Sequence, residues 1–241
     1  MDSIVYDRMN ELEARHWWFV ARRRIIASLI RRAMGKRSGR ILEAGCGSGG
    51  NLQMLRNFGE VDAFEFYGPA REEAMRKSGL TIPFGALPDA LPFAGSQYDL
   101  IGLFDVLEHI RDDVGSLAAL GERLGEGGKI LVTVPALPLL WSGHDVRHHH
   151  FRRYTRSTLA EAAAKAGLKV SYSSYFNFFL FPLAVTSRGM KRLAGSDAPD
   201  DRMPADWVNR LFTRIFGTER HLLGRVRLPI GLSLAAVLEK A

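Results

Sequence analysis

The residues best suited to chemistry in this 241-residue chain lie around a glycine-rich turn. Residues 40–50 read Arg-Ile-Leu-Glu-Ala-Gly-Cys-Gly-Ser-Gly-Gly. Arg40–Ala44 has the pattern of a short buried strand, Gly45–Gly50 cannot hold regular structure, and Asn51–Phe58 returns to a helical pattern. Glycines permit a sharp turn and a close backbone approach to a ligand, and the next helix points free N–H groups at it. The stretch therefore predicts a ligand with negative charge or strong hydrogen-bond acceptors.

Two carboxylates narrow the identity of that ligand, because the turn alone also satisfies the G-x-G-x-x-G pattern of dinucleotide sites. Glu43 lies two residues before Gly45, where it would repel a pyrophosphate but attract an ammonium group. Glu65 lies twenty residues after Gly45, near the end of a second apolar strand at Val61–Phe66. There a carboxylate can accept hydrogen bonds from both hydroxyls of a ribose. The ammonium preference favours a ligand with an amino-acid part over a dinucleotide.

Two further stretches complete an ordered set of motifs. YDLIGLFDVLEHI occupies Tyr98–Ile110, and LGEGGKILVTVP occupies Leu124–Pro135. Together with EAGCGSG and Glu65, in that order, they resemble the class I S-adenosylmethionine (SAM) dependent methyltransferases, and DVLEHI is similar to the motif of ubiquinone-biosynthesis O-methyltransferases. The resemblance covers Arg40–Val170. It implies an α/β fold: a Rossmann-like, seven-stranded, mostly parallel sheet with helices on both faces.

The resemblance also implies a SAM site at the carboxyl ends of the strands. The usual aspartate for the adenine amino group is absent, because Ala86 and Leu87 stand in its place. We therefore expect backbone groups and apolar contact to hold adenine. The predicted cofactor-binding residues are Glu43, Gly45, Cys46, Gly47, Gly49, Asn51, Glu65, Phe66, Ala86, Leu87, Phe104, Asp105, Val106 and His109.

Two chemically suggestive features near this site have simpler interpretations. Asp105, Glu108 and His109 match a D/E-x-x-E-H stretch in which some methyltransferases can hold a divalent metal. Many related sequences carry DVLEHI with no metal, so we predict no metal here. Cys46 is the only cysteine, and its place between two turn glycines is explained by packing. We do not expect it to act as a nucleophile.

The segment Ala136–Arg156 is rich in histidine and arginine and has no clear helical or strand period. It leaves the carboxyl end of a predicted strand, so it should lie over the transferring methyl group. Histidine can take up a proton near neutral pH. We therefore predict His144 and His150, followed by Tyr154, as the catalytic residues that supply a base if the acceptor needs one. The alternative is that this loop only pairs its charges to stay folded.

Composition and charge indicate a globular protein with a basic front end. Hydrophobic residues make up 46% and charged residues 24%, and the net charge is +7. The single cysteine and the absence of a signal-peptide pattern predict a cytoplasmic protein. No nucleic-acid partner is expected, and the oligomeric state cannot be read from the sequence. Much of the positive charge precedes the glycine turn, at Arg8, Arg15, Arg22, Arg23, Arg24, Arg31, Arg32, Lys36 and Arg37.

These basic residues have two interpretations. They form a solvated helical face, or they contact anionic membrane together with the apolar FNFFLFPLAV segment at Phe176–Val185. That segment is too short to span a bilayer. It could instead be a substrate lid or an oligomer contact.

The predicted domain organisation has four parts. Residues 1–38 form an N-terminal helical cover, 39–175 the SAM-binding core, 176–224 a helical and apolar insertion, and 225–241 the final strand of the core sheet. Within the core we expect a third strand at Ile82–Ala86, a fourth at Tyr98–Leu103 and, after the histidine-rich segment, a helix that begins with a capping box of Thr158 and Glu161 and runs to Ala166. The insertion should contain a polar linker at Ala194–Pro204 and an amphipathic helix at Trp207–Phe216, and after it we expect an antiparallel edge strand at Leu232–Leu238.

The sequence as a whole predicts an enzyme that transfers a methyl group from SAM to an O, N or C nucleophile of a small or lipid-linked acceptor. Such a reaction needs in-line positioning and exclusion of water, because the sulfonium already activates the methyl group. The alternatives are an NAD-binding oxidoreductase and a SAM-binding protein without catalysis. Glu43 and the later motifs oppose the first, and the histidine-rich loop opposes the second.

Overall fold

A computed structural model describes residues 10–193 and 203–241, with only the backbone described for Arg188 and residues 191–193. Six strands form one mixed sheet, in the order β2-β1-β3-β4-β6-β5. The strands are β1 Gly39–Ala44, β2 Gly59–Phe64, β3 Tyr98–Phe104, β4 Leu124–Pro135, β5 Leu168–Phe176 and β6 Ser233–Lys240.

Helices connect most of the strands. They are α1 Trp17–Met34, α2 Leu52–Leu55, α3 Gly68–Ser78, α4 Asp113–Glu122, α5 Gly143–Arg147, α6 Arg156–Lys165, α7 Phe181–Leu193 and α8 Asp206–Thr218. Single 3₁₀ turns occur at Leu107–His109, Pro138–Leu140 and Glu219–His221. The histidine-rich segment, for which the sequence showed no period, therefore contains a short helix, and a capping box formed by Ser142 and Asp145 fixes its start.

Four neighbouring strands pair in parallel, as predicted, because β-α connections return the chain to the same edge of the sheet. The predicted last strand is antiparallel, but its predicted place at the sheet edge is wrong. β6 pairs with β4 on one side and with β5 on the other, so β5 occupies the edge. The connection through α7 and α8 is long enough to bring β6 back between its two neighbours.

The predicted third strand at Ile82–Ala86 does not form, and this is why the described sheet has six strands and not seven. The segment runs beside the end of β2 and makes an isolated parallel bridge between Glu65 and Phe84. Pro83 has no N–H to donate to a strand partner. The remaining backbone bonds are long, 3.3 Å from Glu65 N to Pro83 O and 3.4 Å from Gly85 N to Glu65 O.

Alternate strand residues pack into two apolar layers on opposite faces of the sheet, because side chains along a strand point alternately up and down. Ile41, Leu100 and Leu131 pack in one layer with Ile25, Ile26, Leu29 and Ile30 of α1. Their neighbours Leu42, Ile101 and Val132 pack in the other with residues of α4 and α6. Helices therefore cover both faces, as predicted.

The N-terminal helix and the insertion are joined by one asparagine of α8. Asn209 Oδ1 accepts a hydrogen bond from Trp17 N at 2.8 Å, and its Nδ2 donates to Arg15 O at 2.9 Å. The Trp17 ring also meets Phe212 and Phe216 edge-on, with centroids 5.5 and 5.9 Å away. The predicted amphipathic helix at Trp207–Phe216 is present as α8, whereas most of the predicted linker, residues 194–202, lies outside the described residues.

The helix predicted after the histidine-rich segment is also present, but its cap is not the one expected from sequence. We expected Thr158 and Glu161 to form the capping box. Thr155 is the N-cap, and Thr158 completes the box from the N3 position. The helix α6 consequently starts at Arg156, one turn earlier than predicted.

Candidate active site

The glycine turn after β1 adopts a backbone that only glycine tolerates easily. Gly45, Gly47 and Gly49 have φ angles of 71°, 55° and 82°. The N–H groups of Gly45 and Cys46 both donate to Phe64 O at 3.0 Å, which ties the turn to the end of β2. A Cβ on Gly45 would stand 3.0 Å from a Val106 methyl carbon, so the turn also packs closely against the segment after β3.

A cavity of about 530 Å³ lies at this turn, between the carboxyl ends of β1 to β3 and the start of α1. It is lined by every predicted cofactor residue except Gly49, namely Glu43, Gly45, Cys46, Gly47, Asn51, Glu65, Phe66, Ala86, Leu87, Phe104, Asp105, Val106 and His109. Gly49 instead faces α3, where an added Cβ would be 3.1 Å from Ala74 Cα. Its contribution is to let the turn pack on that helix.

Glu43 has a buried carboxyl group, and one of its two oxygens accepts a hydrogen bond. Asn51 Nδ2 donates to Glu43 Oε1 at 2.7 Å, and Oε2 has no hydrogen-bond partner among the described residues. Burial raises the pKa of Glu43 to about 8, although the hydrogen bond from Asn51 opposes the shift. A positively charged ligand group at Oε2 would both satisfy that atom and favour the carboxylate.

Glu65 is held in a fixed position beside the turn. Gly47 N donates to its Oε2 at 2.8 Å and Tyr67 N to its Oε1 at 2.9 Å. Burial raises the pKa of Glu65, while these backbone hydrogen bonds lower it. Each oxygen keeps a lone pair for a ligand hydroxyl. The next residue, Phe66, is 65% exposed and contacts the ring of Phe84 at 5.6 Å, so an aromatic surface adjoins the carboxylate.

A buried arginine from α1, Arg22, also lines the cavity, although its place in the sequence groups it with the basic front end. Arg22 is 5% exposed and forms an ion pair with Asp105. Its Nη2 donates to Thr133 Oγ1 at 3.0 Å, and its guanidinium carbon lies 5.0 Å from the Trp18 ring centroid. The only sequence signal was a single arginine within an otherwise apolar helix face beside Ile25 and Ile26.

A second cavity of about 400 Å³ adjoins the first. Trp18, Phe19, Asp105 and His109 line both. Its own lining is apolar on the side of α1, α7 and α8, and carries His144, His148 and His150 on the side of α5. The histidine-rich segment therefore lies beside the carboxyl end of β3.

Asp145 organises the polar side of the second cavity. It is fully buried and receives His150 Nδ1 at 2.9 Å, Arg153 Nε at 2.8 Å and Arg153 Nη2 at 2.9 Å. Burial opposes ionisation of Asp145, but the hydrogen bonds from His150 and Arg153 outweigh it and lower its pKa. With Nδ1 donating to this carboxylate, the other ring nitrogen of His150 is left as a proton acceptor.

The remaining histidines differ in what they can do. His144 lines the second cavity, and its ring centroid lies 4.0 Å from that of His148, with the two ring planes tilted by 30°. His109 lines both cavities, but burial and the neighbouring His150 and His148 lower its pKa to about 3. His109 is therefore neutral at physiological pH.

Two predicted site residues are buried and unreactive. Tyr154 lines neither cavity, and its hydroxyl donates to Asp113 Oδ2 at 2.8 Å; burial and that carboxylate raise its pKa. It therefore leaves the set of candidate bases. Burial, with Glu43 and Glu65 nearby, also raises the pKa of the Cys46 thiol, which leaves it a poor nucleophile.

Glu108 is a buried acid that lines the second cavity. It is 1% exposed, and burial together with Asp105 raises its pKa well above the ordinary range. Ligand atoms of Glu108, His109 and His150 lie within 4.8 Å of one another, a spacing that a divalent cation could bridge. Nδ1 of His150 is already bonded to Asp145, however. That no metal binds here stays a prediction.

Comparison with known proteins agrees with this geometry. The family model for the methyltransferase domain matches residues 18–173, which is more than half of the chain. A malonyl-[acyl-carrier protein] O-methyltransferase of Enterobacter lignolyticus is 27% identical over 200 residues, covering 80% of this chain and 74% of the relative. A ubiquinone biosynthesis O-methyltransferase of Dinoroseobacter shibae is 34% identical over 97 residues, covering 38% of this chain and 39% of the relative.

A solved structure shares the fold. The magnesium protoporphyrin IX methyltransferase of Synechocystis, crystallised with S-adenosylhomocysteine, superimposes with a TM-score of 0.56 at 15% identity, covering 71% of this chain and 88% of the other. The chain belongs to the methyltransferase domain family. It is a SAM-dependent methyltransferase, as its motifs predicted.

No helix in the described residues is long and apolar enough to cross a membrane.

Proposed function

We propose that the 530 Å³ cavity binds SAM in one defined orientation. Glu43 takes the ammonium group, Glu65 the ribose hydroxyls, and Phe66, Ala86 and Leu87 surround adenine. The sulfonium would then lie near Phe104, Asp105 and Val106, of which Asp105 also lines the second cavity. The observation that carries this assignment is that Oε2 of Glu43 has no hydrogen-bond partner within the described part of the chain, beside the same glycine turn that holds Glu65.

Isothermal calorimetry with SAM, S-adenosylhomocysteine and NAD tests the assignment. We expect micromolar affinity for the first two and none for NAD. Glu65→Ala should weaken SAM binding by roughly 1.5–3 kcal/mol, because hydrogen bonds to a charged group are lost. The control is Glu122→Ala, which removes an exposed carboxylate of α4 and should change nothing. Binding of NAD alone would overturn the proposal in favour of an oxidoreductase.

The acceptor enters, in this proposal, through the second cavity. Its O, N or C nucleophile attacks the methyl carbon, the carbon–sulfur bond breaks, and the electron pair stays on sulfur to give S-adenosylhomocysteine. A hydroxyl or ammonium acceptor must also lose a proton, and His150 takes it on Nε2 while Asp145 stabilises the resulting imidazolium. His144 is the second candidate, because its ring lines the same cavity.

Turnover and SAM affinity should be compared for His150→Ala and His144→Ala once an acceptor is in hand. Loss of the base should lower kcat by about 10²–10⁴-fold and leave SAM affinity unchanged. His221→Ala is a matched control, because His221 lies in the turn after α8 and lines neither cavity. Near-normal turnover in both test variants would eliminate a catalytic role for this loop and leave it a structural one.

The proposal extends to where the enzyme works. We infer a cytoplasmic protein whose 176–224 insertion covers the acceptor cavity and touches anionic membrane, where a lipid-linked acceptor would be found. Support comes from α7 and α8, which line the second cavity and also carry exposed apolar side chains. Nucleic acid is not part of the proposal.

A further inference from the structure

The second cavity is elongated along the carboxyl edge of the sheet. Its lining includes Asp105 after β3, Pro135 at the end of β4, Ser233 at the start of β6 and Asn177 after β5. These four strands are consecutive neighbours in the sheet. Three strand spacings separate the first from the last, which gives a length of about 14 Å. A ligand that fills the cavity must therefore be long.

One side of this cavity is largely apolar. Trp17 and Phe19 of α1, Leu180 before α7, Phe212 of α8 and Leu232 before β6 contribute to its walls. Apolar walls gain free energy only by covering apolar ligand surface, so the stretch of ligand along this side, between its two ends, should carry few polar groups.

Buried oxygen atoms without a partner mark the two ends. Near β3, both carboxyl oxygens of Glu108 lack a hydrogen bond within the described residues, and beyond β5 the same holds for Asn177 Oδ1. Both residues are 1% exposed. Buried polar atoms are normally satisfied, because an unmade hydrogen bond costs about 1–3 kcal/mol. Each end can therefore accept a hydrogen bond from outside the protein, because even a protonated carboxyl keeps an accepting carbonyl oxygen.

The backbone of Asn177 is held in place, which keeps its side chain at this end of the cavity. Its φ is 59°, a conformation that asparagine tolerates better than most residues. Its backbone N–H donates to Glu219 Oε2 at 2.7 Å, and that buried carboxylate also accepts from the N–H groups of Phe178 and Phe179. The buried carboxylate of Glu219 thus holds the backbone after β5 in place.

We infer that the methyl acceptor is a long molecule with an apolar middle and a hydrogen-bond donor, hydroxyl or amino, at each end. The end beside Glu108 and His109 is methylated, because His109 also lines the cofactor cavity. The far end donates to Asn177 Oδ1 and sets the length of acceptor that is recognised. This inference rests on the proposed function and adds the shape and polarity of its substrate.

Calorimetry on the S-adenosylhomocysteine complex with two probes tests the inference: α,ω-decanediol, which has a hydroxyl at each end, and decanol, which lacks one of them. Asn177→Gly removes the amide without straining a positive φ. One lost hydrogen bond should reduce the ratio of diol to alcohol affinity by about three- to tenfold in this variant. Asn57→Gly makes the same change at an exposed loop position outside both cavities and should leave the ratio unaltered.

Each result decides a different claim. An unchanged ratio in Asn177→Gly, or failure of both probes to bind a protein that does bind S-adenosylhomocysteine, overturns the two-ended acceptor and leaves the proposed function standing. Failure of the wild-type protein to bind S-adenosylhomocysteine overturns both. Retained cofactor affinity in Asn177→Gly shows that the variant is folded.

Discussion

At the residue scale, the proton held by Glu43 should make SAM binding depend on pH. The free protein holds a proton on this carboxyl below about pH 8, because burial raises its pKa. The ammonium group of SAM favours the carboxylate, so binding near pH 7 should release close to one proton. SAM affinity should accordingly rise with pH by up to about tenfold per unit between pH 6 and pH 7.

Calorimetry in buffers of different ionisation enthalpy measures this proton release directly. Glu43→Gln cannot release the proton, so its binding enthalpy should lose the dependence on buffer that the wild-type protein shows. Proton uptake by the wild-type protein, or affinity that falls over this pH range, would contradict the assignment of Glu43 to the ammonium group.

Individual site residues differ in how far the sequence predicts them. Glu43 and Glu65 could be placed because Glu43 lies two residues before the glycine turn and Glu65 lies near the end of the neighbouring strand. Arg22 and Asn177 could not, because each reaches its cavity through contacts between segments far apart in the chain: Arg22 meets Thr133 at a separation of 111 residues. Tyr154 was expected in the site for its place in the loop, yet its hydroxyl turns towards α4 and Asp113.

At the scale of elements, α7 and α8 present a surface suited to a lipid interface. Leu183 and Met190 of α7 are 52% and 64% exposed, and Trp207 and Leu211 of α8 are 66% and 44% exposed. Arg210 and Arg214 are also exposed on α8, so this helix carries both the apolar and the basic side chains that the proposed membrane contact would use.

Flotation with liposomes measures this attachment. The protein should float with anionic vesicles and not with neutral ones, and added salt should release it because charge attraction is screened. Replacing both Trp207 and Leu211 by Ser should abolish flotation, whereas Leu139→Ser, at a leucine that is 95% exposed outside these helices, should not. Absence of flotation at low salt would show that α7 and α8 serve as a lid alone.

Helices and strands with a strong local pattern could be predicted from the sequence, but the pairing of strands with one another could not. The period of Trp207–Phe216 identifies α8, and the apolar run of Tyr98–Leu103 identifies β3, because both signals lie within the element itself. The place of β6 between β4 and β5 depends on pairings with distant strands, which no local pattern encodes. The predicted third strand does not form because Pro83 has no N–H to donate to a neighbouring strand, although the composition of the segment is suitably apolar.

At the scale of the whole molecule, composition and motif order were sufficient to predict a Rossmann-like enzyme of one core sheet. They could not show that the N-terminal cover and the insertion contact each other. Asn209 of α8 makes that contact by bonding to Arg15 and Trp17 across more than 190 residues of chain. Residues of α1, α7 and α8 together line the second cavity, and Trp18 and Phe19 of α1 also line the first.

Because of the position of β6, the sheet can be completed only late in synthesis of the chain. β6 is the last of the six strands to be synthesised, yet it lies between two strands that have already been synthesised, β4 and β5. Until residues 233–240 emerge, β5 has no neighbour in this sheet and one edge of β4 is bare. A nascent chain stalled before that point exposes unpaired strand edges, which are sites of aggregation and of chaperone binding.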